Sequence, residues 1–151
     1  MQPFNEKKPA GLSSEVLKVL ARALPDRNLS GHALAQAVLN LSRLFTTARP
    51  SLPVRYLDDP AHAAAYHSYF LPVNLSKIQV LLDELPNDII QEMPDRPMAV
   101  LDLGCGQGTG SLALLDWLWH RSPKRAKSLS VLATDASNSS LQDAKRLWEA
   151  Y

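Results

Sequence analysis

The sequence predicts an α/β chain in which a helical first half is followed by one strand–helix–strand–helix unit. Three observations carry this. Up to residue 85 the apolar residues recur at steps of three and four. Residues 98–103, Met-Ala-Val-Leu-Asp-Leu, then form a short apolar run without that spacing, as a buried strand does. Directly after it, four of the six glycines occupy positions 104, 106, 108 and 110, concentrating backbone freedom in one turn.

Residues 13–24 place Val16, Leu17, Leu20, Ala21 and Leu24 at helical spacing, and Pro25 ends the pattern. From residue 31 to 48, Leu34, Val38, Leu41 and Phe45 make a second stripe, stopped by Pro50 and Pro53. Asp59-Pro60 starts a third helix, because Asp caps free amides and Pro fits the first turn, where its missing N–H costs nothing. That helix is expected to run to about Phe70, with Tyr66, Tyr69 and Phe70 read as core. Asn74 then caps a segment whose stripe is Leu75, Ile78, Leu82 and Leu85, ending at Pro86. Residues 86–97 hold Pro86, Pro94 and Pro97 among alternating acids, the densest interruption in the chain. The boundary is placed near residue 94, dividing the chain into a helical region, 1–94, and an α/β region, 95–151.

In the second region a helix is expected over residues 109–120, with Leu112, Leu115, Leu118 and Trp119 inward. A polar basic loop, residues 121–127, leads to a second strand, residues 129–134. Ser139 and Gln142 have capping-box spacing ahead of a last helix whose face is Leu141, Ala144, Leu147 and Trp148. Because a strand–helix–strand crossover is right-handed, Arg121, Lys124, Arg125, Lys127, Lys145 and Arg146 are all expected at the end opposite the glycine turn. A solvated basic surface explains them, and phosphate docking is the alternative.

The 16 basic and 15 acidic residues leave a net charge of +1, so charge alone names no partner, while the 46% apolar content suffices for a core. The single cysteine, Cys105, excludes an internal disulfide and a zinc site built on several thiolates. No apolar run reaches membrane-spanning length, and Glu6 and Glu15 do not fit an organellar presequence, so a soluble, cytoplasmic protein is expected. His62 and His67 are five apart and do not form a helical metal pair, so no metal is expected; Asp58 and Asp59 are both explained as the helix start before Pro60.

Strand, glycine turn and helix are the opening of a Rossmann-like, nucleotide-binding fold, in which ligand sits outside the carboxyl ends of parallel strands. A dinucleotide fingerprint would need glycine at 109, which is threonine, and the Gly-Lys-Ser/Thr ending of a P-loop is absent. The turn reads Asp102-Leu-Gly104-Cys105-Gly106-Gln-Gly108 instead. A carboxylate two residues before the first glycine repels a pyrophosphate and suits a cationic amino group. Cys105 is explained by its small size between two glycines, and no nucleophile is assigned.

This turn resembles the first motif of class I S-adenosylmethionine-dependent methyltransferases. The resemblance implies that Gly104, Gly106 and Gly108 let the backbone lie against S-adenosyl-L-methionine while Asp102 engages its amino-acid moiety. It further implies that an acid ending the second strand accepts from both ribose hydroxyls; Val131-Leu-Ala-Thr-Asp135 supplies one. Capping of the following helix is the structural alternative for Asp135. The candidate cofactor-binding residues are Asp102, Gly104, Cys105, Gly106, Gly108 and Asp135.

The preceding segment, Tyr66-His-Ser-Tyr-Phe-Leu-Pro-Val-Asn74 followed by an apolar helix to Leu85, is similar to the methyltransferase-like assembly factors of the mitochondrial small ribosomal subunit and their bacterial relatives. That likeness spans about residues 56–147 and implies action on or beside small-subunit ribosomal RNA or ribosomal proteins. A non-catalytic assembly or RNA-binding factor that keeps the cofactor fold is the alternative. Full members of the superfamily have a larger sheet, so a truncated domain is expected here, with the helical region left to cover one sheet face and an open sheet edge suited to self-association.

Overall fold

A computed structural model describes residues 11–23, 29–86 and 96–151. The expected boundary near residue 94 and the helix stop at Leu24-Pro25 lie outside the described residues. The chain is mixed α/β, mostly helical, with a small sheet of two parallel strands.

Helix α1 (Ser14–Arg22) begins at Ser13, whose Oγ accepts the Val16 N–H at 3.0 Å. Its buried residues are Val16 and Val19, while Leu17 is half exposed, so the inward face is rotated from the expected stripe. The groove sets that face: Val16 and Val19 pack among Leu71, Leu75, Leu112, Ala113 and Leu147, with Leu12, Leu20 and Ala23 alongside. Helix α2 (Gly31–Thr46) is capped by Ser30 and buries Ala37 and Leu41. Near its end Phe45 meets Tyr56 and Phe70 edge-on, at 5.4 and 5.1 Å between ring centroids.

Asp59 caps α3 (Pro60–Ala65) as expected, its Oδ1 accepting from the Ala61 and His62 amides at 2.7 and 3.0 Å. The helix does not stop at Phe70. It widens into a five-residue π-turn, Tyr66–Phe70, and continues directly as α4 (Leu71–Asp83). Pro72 accounts for this, since it has no N–H to give the carbonyl four residues back and the wider turn absorbs the missing bond. Asn74 therefore lies inside α4, where its Oδ1 accepts from Lys77 Nζ, and caps nothing. Tyr66 stacks on Phe70 at 6.1 Å, whereas Tyr69 is half exposed.

Strands β1 (Met98–Leu103) and β2 (Leu129–Thr134) pair in parallel, Met98 opposite Leu129 through Leu103 opposite Thr134. Helix α5 (Thr109–Arg121) connects them and buries Leu112, Leu115 and Leu118 as expected. Trp117, not Trp119, is the buried tryptophan: its indole N–H donates to Asp83 Oδ1 at 2.8 Å, with the Arg121 guanidinium 5.0 Å above the ring and itself bonded to Asp83. The expected basic loop is a short helix, α6 (Pro123–Lys127), because Pro123 favours a first helical turn. Helix α7 (Asn138–Ala150) is capped by Ser137, whose Oγ accepts the Ser140 N–H at 3.1 Å, and not by Ser139.

Helices α5 and α7 cover one sheet face, where Val100 and Val131 pack with Leu115, Leu118 and Trp148. The N-terminal helices do not cover the other face. They stack on the far side of α5, which lies between them and the sheet. Asp116 of α5 ties these layers together, its buried carboxylate accepting from Ser13 Oγ, Gln79 Nε2 and the Tyr151 hydroxyl. Burial, then the bond to Asp116, holds the Tyr151 hydroxyl well above the usual phenol range. On the bare face Leu101, Leu103 and Leu132 are 58, 72 and 67% exposed. Among the described residues no helix is long and apolar enough to cross a membrane.

Candidate functional site

The site is built where β1 gives way to α5. Gly104, Gly106 and Gly108 all have left-handed φ, at 71, 53 and 81°. No other residue type adopts that region here among the described residues, so the glycines are required by the path of the chain. The Gly104 and Cys105 amides both donate to the Thr134 carbonyl, at 2.8 and 3.0 Å, tying the turn to the end of β2. A methyl group on Gly108 would stand 3.0 Å from Ala144 Cβ, so its lack of a side chain sets how closely α7 approaches. Gly104 is exposed, with nothing within 4 Å of its would-be Cβ; this is the open side of the turn.

The two acids flank that turn. Asp102, on β1, accepts through Oδ2 from the Ser111 amide and hydroxyl, at 3.2 and 2.5 Å. Asp135, just past β2, accepts from the Gly106 amide through Oδ2 and from the Ser137 amide through Oδ1, both at 2.9 Å. The bond to the Ser137 amide orders the segment ahead of α7 without capping it, since the cap is Ser137 itself. Both charges reach Cys105. Burial, then Asp102, then Asp135 push its thiol up to about 11, an environment that disfavours the thiolate a nucleophile needs. All six candidate residues are thus in one neighbourhood.

Sequence reasoning missed the residues that close the turn from the helical side. Leu57, 4% exposed, puts Cδ1 at 3.5 Å from the would-be Cβ of Gly106. The Tyr56 hydroxyl is pushed up to about 12 by burial, then by the neighbouring Tyr66 and Asp135. The Tyr66 hydroxyl is 3.2 Å from Thr109 Oγ1 at the start of α5. Asp58 is not part of the helix start: its Oδ1 accepts from Ser137 Oγ at 2.5 Å and Ser139 Oγ at 3.0 Å. Those bonds, Ser137 first, hold its carboxyl below the ordinary range. Gln107 is fully buried, its Nε2 donating to the Ala63 carbonyl and to Asp143. The one signal in the sequence was the doubled Asp58-Asp59, of which a helix start uses a single carboxylate.

The helix histidines have structural partners, His62 Nδ1 near the Tyr56 carbonyl at 3.2 Å and His67 Nε2 near that of Leu20 at 2.9 Å. Lys145 departs from its expected place. It lines a cavity of about 350 Å³ together with Gly108, Ser111, Val131 and Trp148. Because α7 passes the glycine turn at Ala144, the next residue lies beside that turn and not at the far end of the sheet. At the far end, where the Met98 amide donates to the Ser128 carbonyl, Lys127 Nζ sits 5.9 Å from the Trp119 ring. No protein family, no curated protein and no solved structure matches the chain.

Proposed function

We propose that the glycine turn binds S-adenosyl-L-methionine and serves a class I methyltransferase reaction on or beside small-subunit ribosomal RNA. The observation that carries the cofactor assignment is the pair of carboxylates, Asp102 and Asp135, on either side of a three-glycine turn at the carboxyl ends of adjacent parallel strands. Two acids in that position oppose a diphosphate and suit a ligand with a cationic amino group at one end and two hydroxyl donors at the other. The residues fit this ligand. Each carboxylate oxygen can accept two hydrogen bonds, so Asp135, holding one amide on each oxygen, retains capacity for a ribose diol. Gly104 leaves its side of the turn open to backbone approach. Asp102 would take the amino-acid end, and Gly106 and Gly108 let the backbone follow the left-handed path that shapes the turn. When bound, the cofactor supplies a methyl group on a sulfonium; Cys105, its thiol held neutral, is no competing nucleophile.

Calorimetric titration with S-adenosylmethionine, in competition with NAD, tests this. Hydrogen bonds to charged groups are worth about 1.5–3 kcal/mol, so Asp135→Ala is expected to weaken binding about tenfold or more. Unchanged affinity in that variant removes Asp135 from the site, and preferential binding of NAD overturns the cofactor assignment. A second reading is a ribosome-assembly or RNA-binding factor that keeps the fold without the reaction, in which Asp135, bonded to the Gly106 and Ser137 amides, holds the turn in shape. Cofactor binding without methylation of small-subunit ribosomal RNA distinguishes the two.

A further inference from the structure

We propose that the cleft between β2 and α7 takes up an extended segment of another protein, which pairs with the outer edge of β2 and fills the cavity there with its apolar side chains. The backbone of β2 shows which groups are open to such pairing. The Ser128 and Thr134 carbonyls accept the Met98 and Gly104 amides on the β1 side, at 3.2 and 2.8 Å. Alternate residues of a strand turn their backbone groups to opposite sides, so Leu129, Val131 and Ala133 turn theirs away from β1. No further strand meets them among the described residues.

The cavity of about 350 Å³ lies beside that edge. On the sheet it is lined by Val131 and Ala133 and by no residue of β1, and α7 roofs it with Leu141, Ala144 and Trp148. The same two strand residues therefore present their backbone to an incoming strand and their side chains to the space beneath α7. The helix does not depend on that space for its own anchorage, because Leu147 on another side of it is buried among Val16, Leu71 and Leu112. A helix beside an unpaired strand edge recognises extended peptides by a shared logic: main-chain bonds give affinity, and pockets for alternate side chains give specificity. The occupant is accordingly an extended segment with apolar residues at every second position. It enters beneath α7 and so carries no helix on that face, as a flexible segment does not. Lys145 sets its charge. This lysine lines the cavity, and its 3.6 Å ion pair with Glu149 joins two exposed side chains, a pairing weak enough to be exchanged for a carboxylate on the segment.

The probe is a fluorescein-labelled peptide with valine at alternate positions, threonine between them and one terminal aspartate, and its anisotropy is followed during titration with the full chain. Saturable binding is expected. Ala133→Pro removes an outward amide that β1 does not use, and should weaken binding about tenfold. Lys145→Glu, at an exposed position, should weaken it about fivefold and make a lysine-ended peptide the better ligand. The aspartate-ended peptide methylated on the nitrogens of its core keeps every side chain and loses its amide donors, so it is expected not to bind the wild-type chain. That comparison needs no variant and decides the matter where Ala133→Pro fails to fold. No saturable binding to the wild-type chain, or equal binding of the methylated peptide, overturns the proposal. A mass that rises with concentration, is held at the monomer by Ala133→Pro and is accompanied by no peptide binding assigns the edge to a second copy and overturns it as well.

Discussion

At Gly108 two separate constraints meet, and substitution can separate them. The φ of 81° is a conformation that costs any side chain of normal chirality about 1–2 kcal/mol, and a Cβ there would also press on Ala144 at 3.0 Å. Gly108→Ala is therefore expected to lower unfolding free energy by about 1–3 kcal/mol in urea titration. Combining it with Ala144→Gly removes the 3.0 Å contact but leaves the backbone strain and the approach to the Ala144 Cα at 3.3 Å, so recovery should be partial. Full recovery would mean that φ is not the constraint. Cys105 offers a second residue-scale test. Its thiol is raised from an ordinary 9.0 to about 11, so the neutral form is favoured in the folded chain. The corresponding stability is fully present below the ordinary value and is lost as pH rises through the folded one. The rate of alkylation against pH should accordingly inflect near 11; an inflection near 9.0 would place the sulfur in water.

At the scale of the element, the features that were legible in the sequence are those fixed by a few adjacent residues. Asp59-Pro60 specifies a helix start through its own side-chain oxygen and ring, and the apolar run at 98–103 cannot be amphipathic at helical spacing, so each appears where expected. The glycine spacing likewise encodes a turn that only glycine can follow. Faces and junctions were less legible, because they are set by what lies across from them. Leu17 and Leu20 match the helical period equally well, yet α1 buries Val16 and Val19 because α4, α5 and α7 form the groove on that side. Trp117 outcompetes Trp119 through Asp83, a partner 34 residues away. The helix continues through Pro72 because one wide turn is less disruptive than ending a helix whose Leu71 and Leu75 are fully buried. In the site, Asp102, Asp135 and the glycines are legible because they are local to the strand ends. Tyr56, Leu57 and Asp58 are not, since their place exists only once distant residues are brought together, Gly106 for Leu57 and Ser137 and Ser139, 79 and 81 positions on, for Asp58.

The whole molecule has an asymmetry that its elements taken singly do not show. Parallel sheets are ordinarily covered on both faces, and among the described residues only one face carries helices, because the N-terminal helices lie over α5. Leu101, Leu103 and Leu132 consequently form a neighbouring apolar group in water, on strands paired through Leu101 and Leu132. Covering each leucine is worth about 1–2 kcal/mol, and the three together set the apolar driving force that this face can bring to association. The outer edges of β1 and β2 have no strand partner among the described residues and offer backbone groups to the same encounter. Sedimentation at increasing concentration is expected to show a rising average mass for the wild-type chain. The double variant Leu103→Lys, Leu132→Lys places two cations on that face and should remain monomeric, with its melting temperature almost unchanged because both positions are already more than half exposed. A wild-type chain that stays monomeric throughout, or a double variant that associates equally well, would show that this face is not what brings copies together.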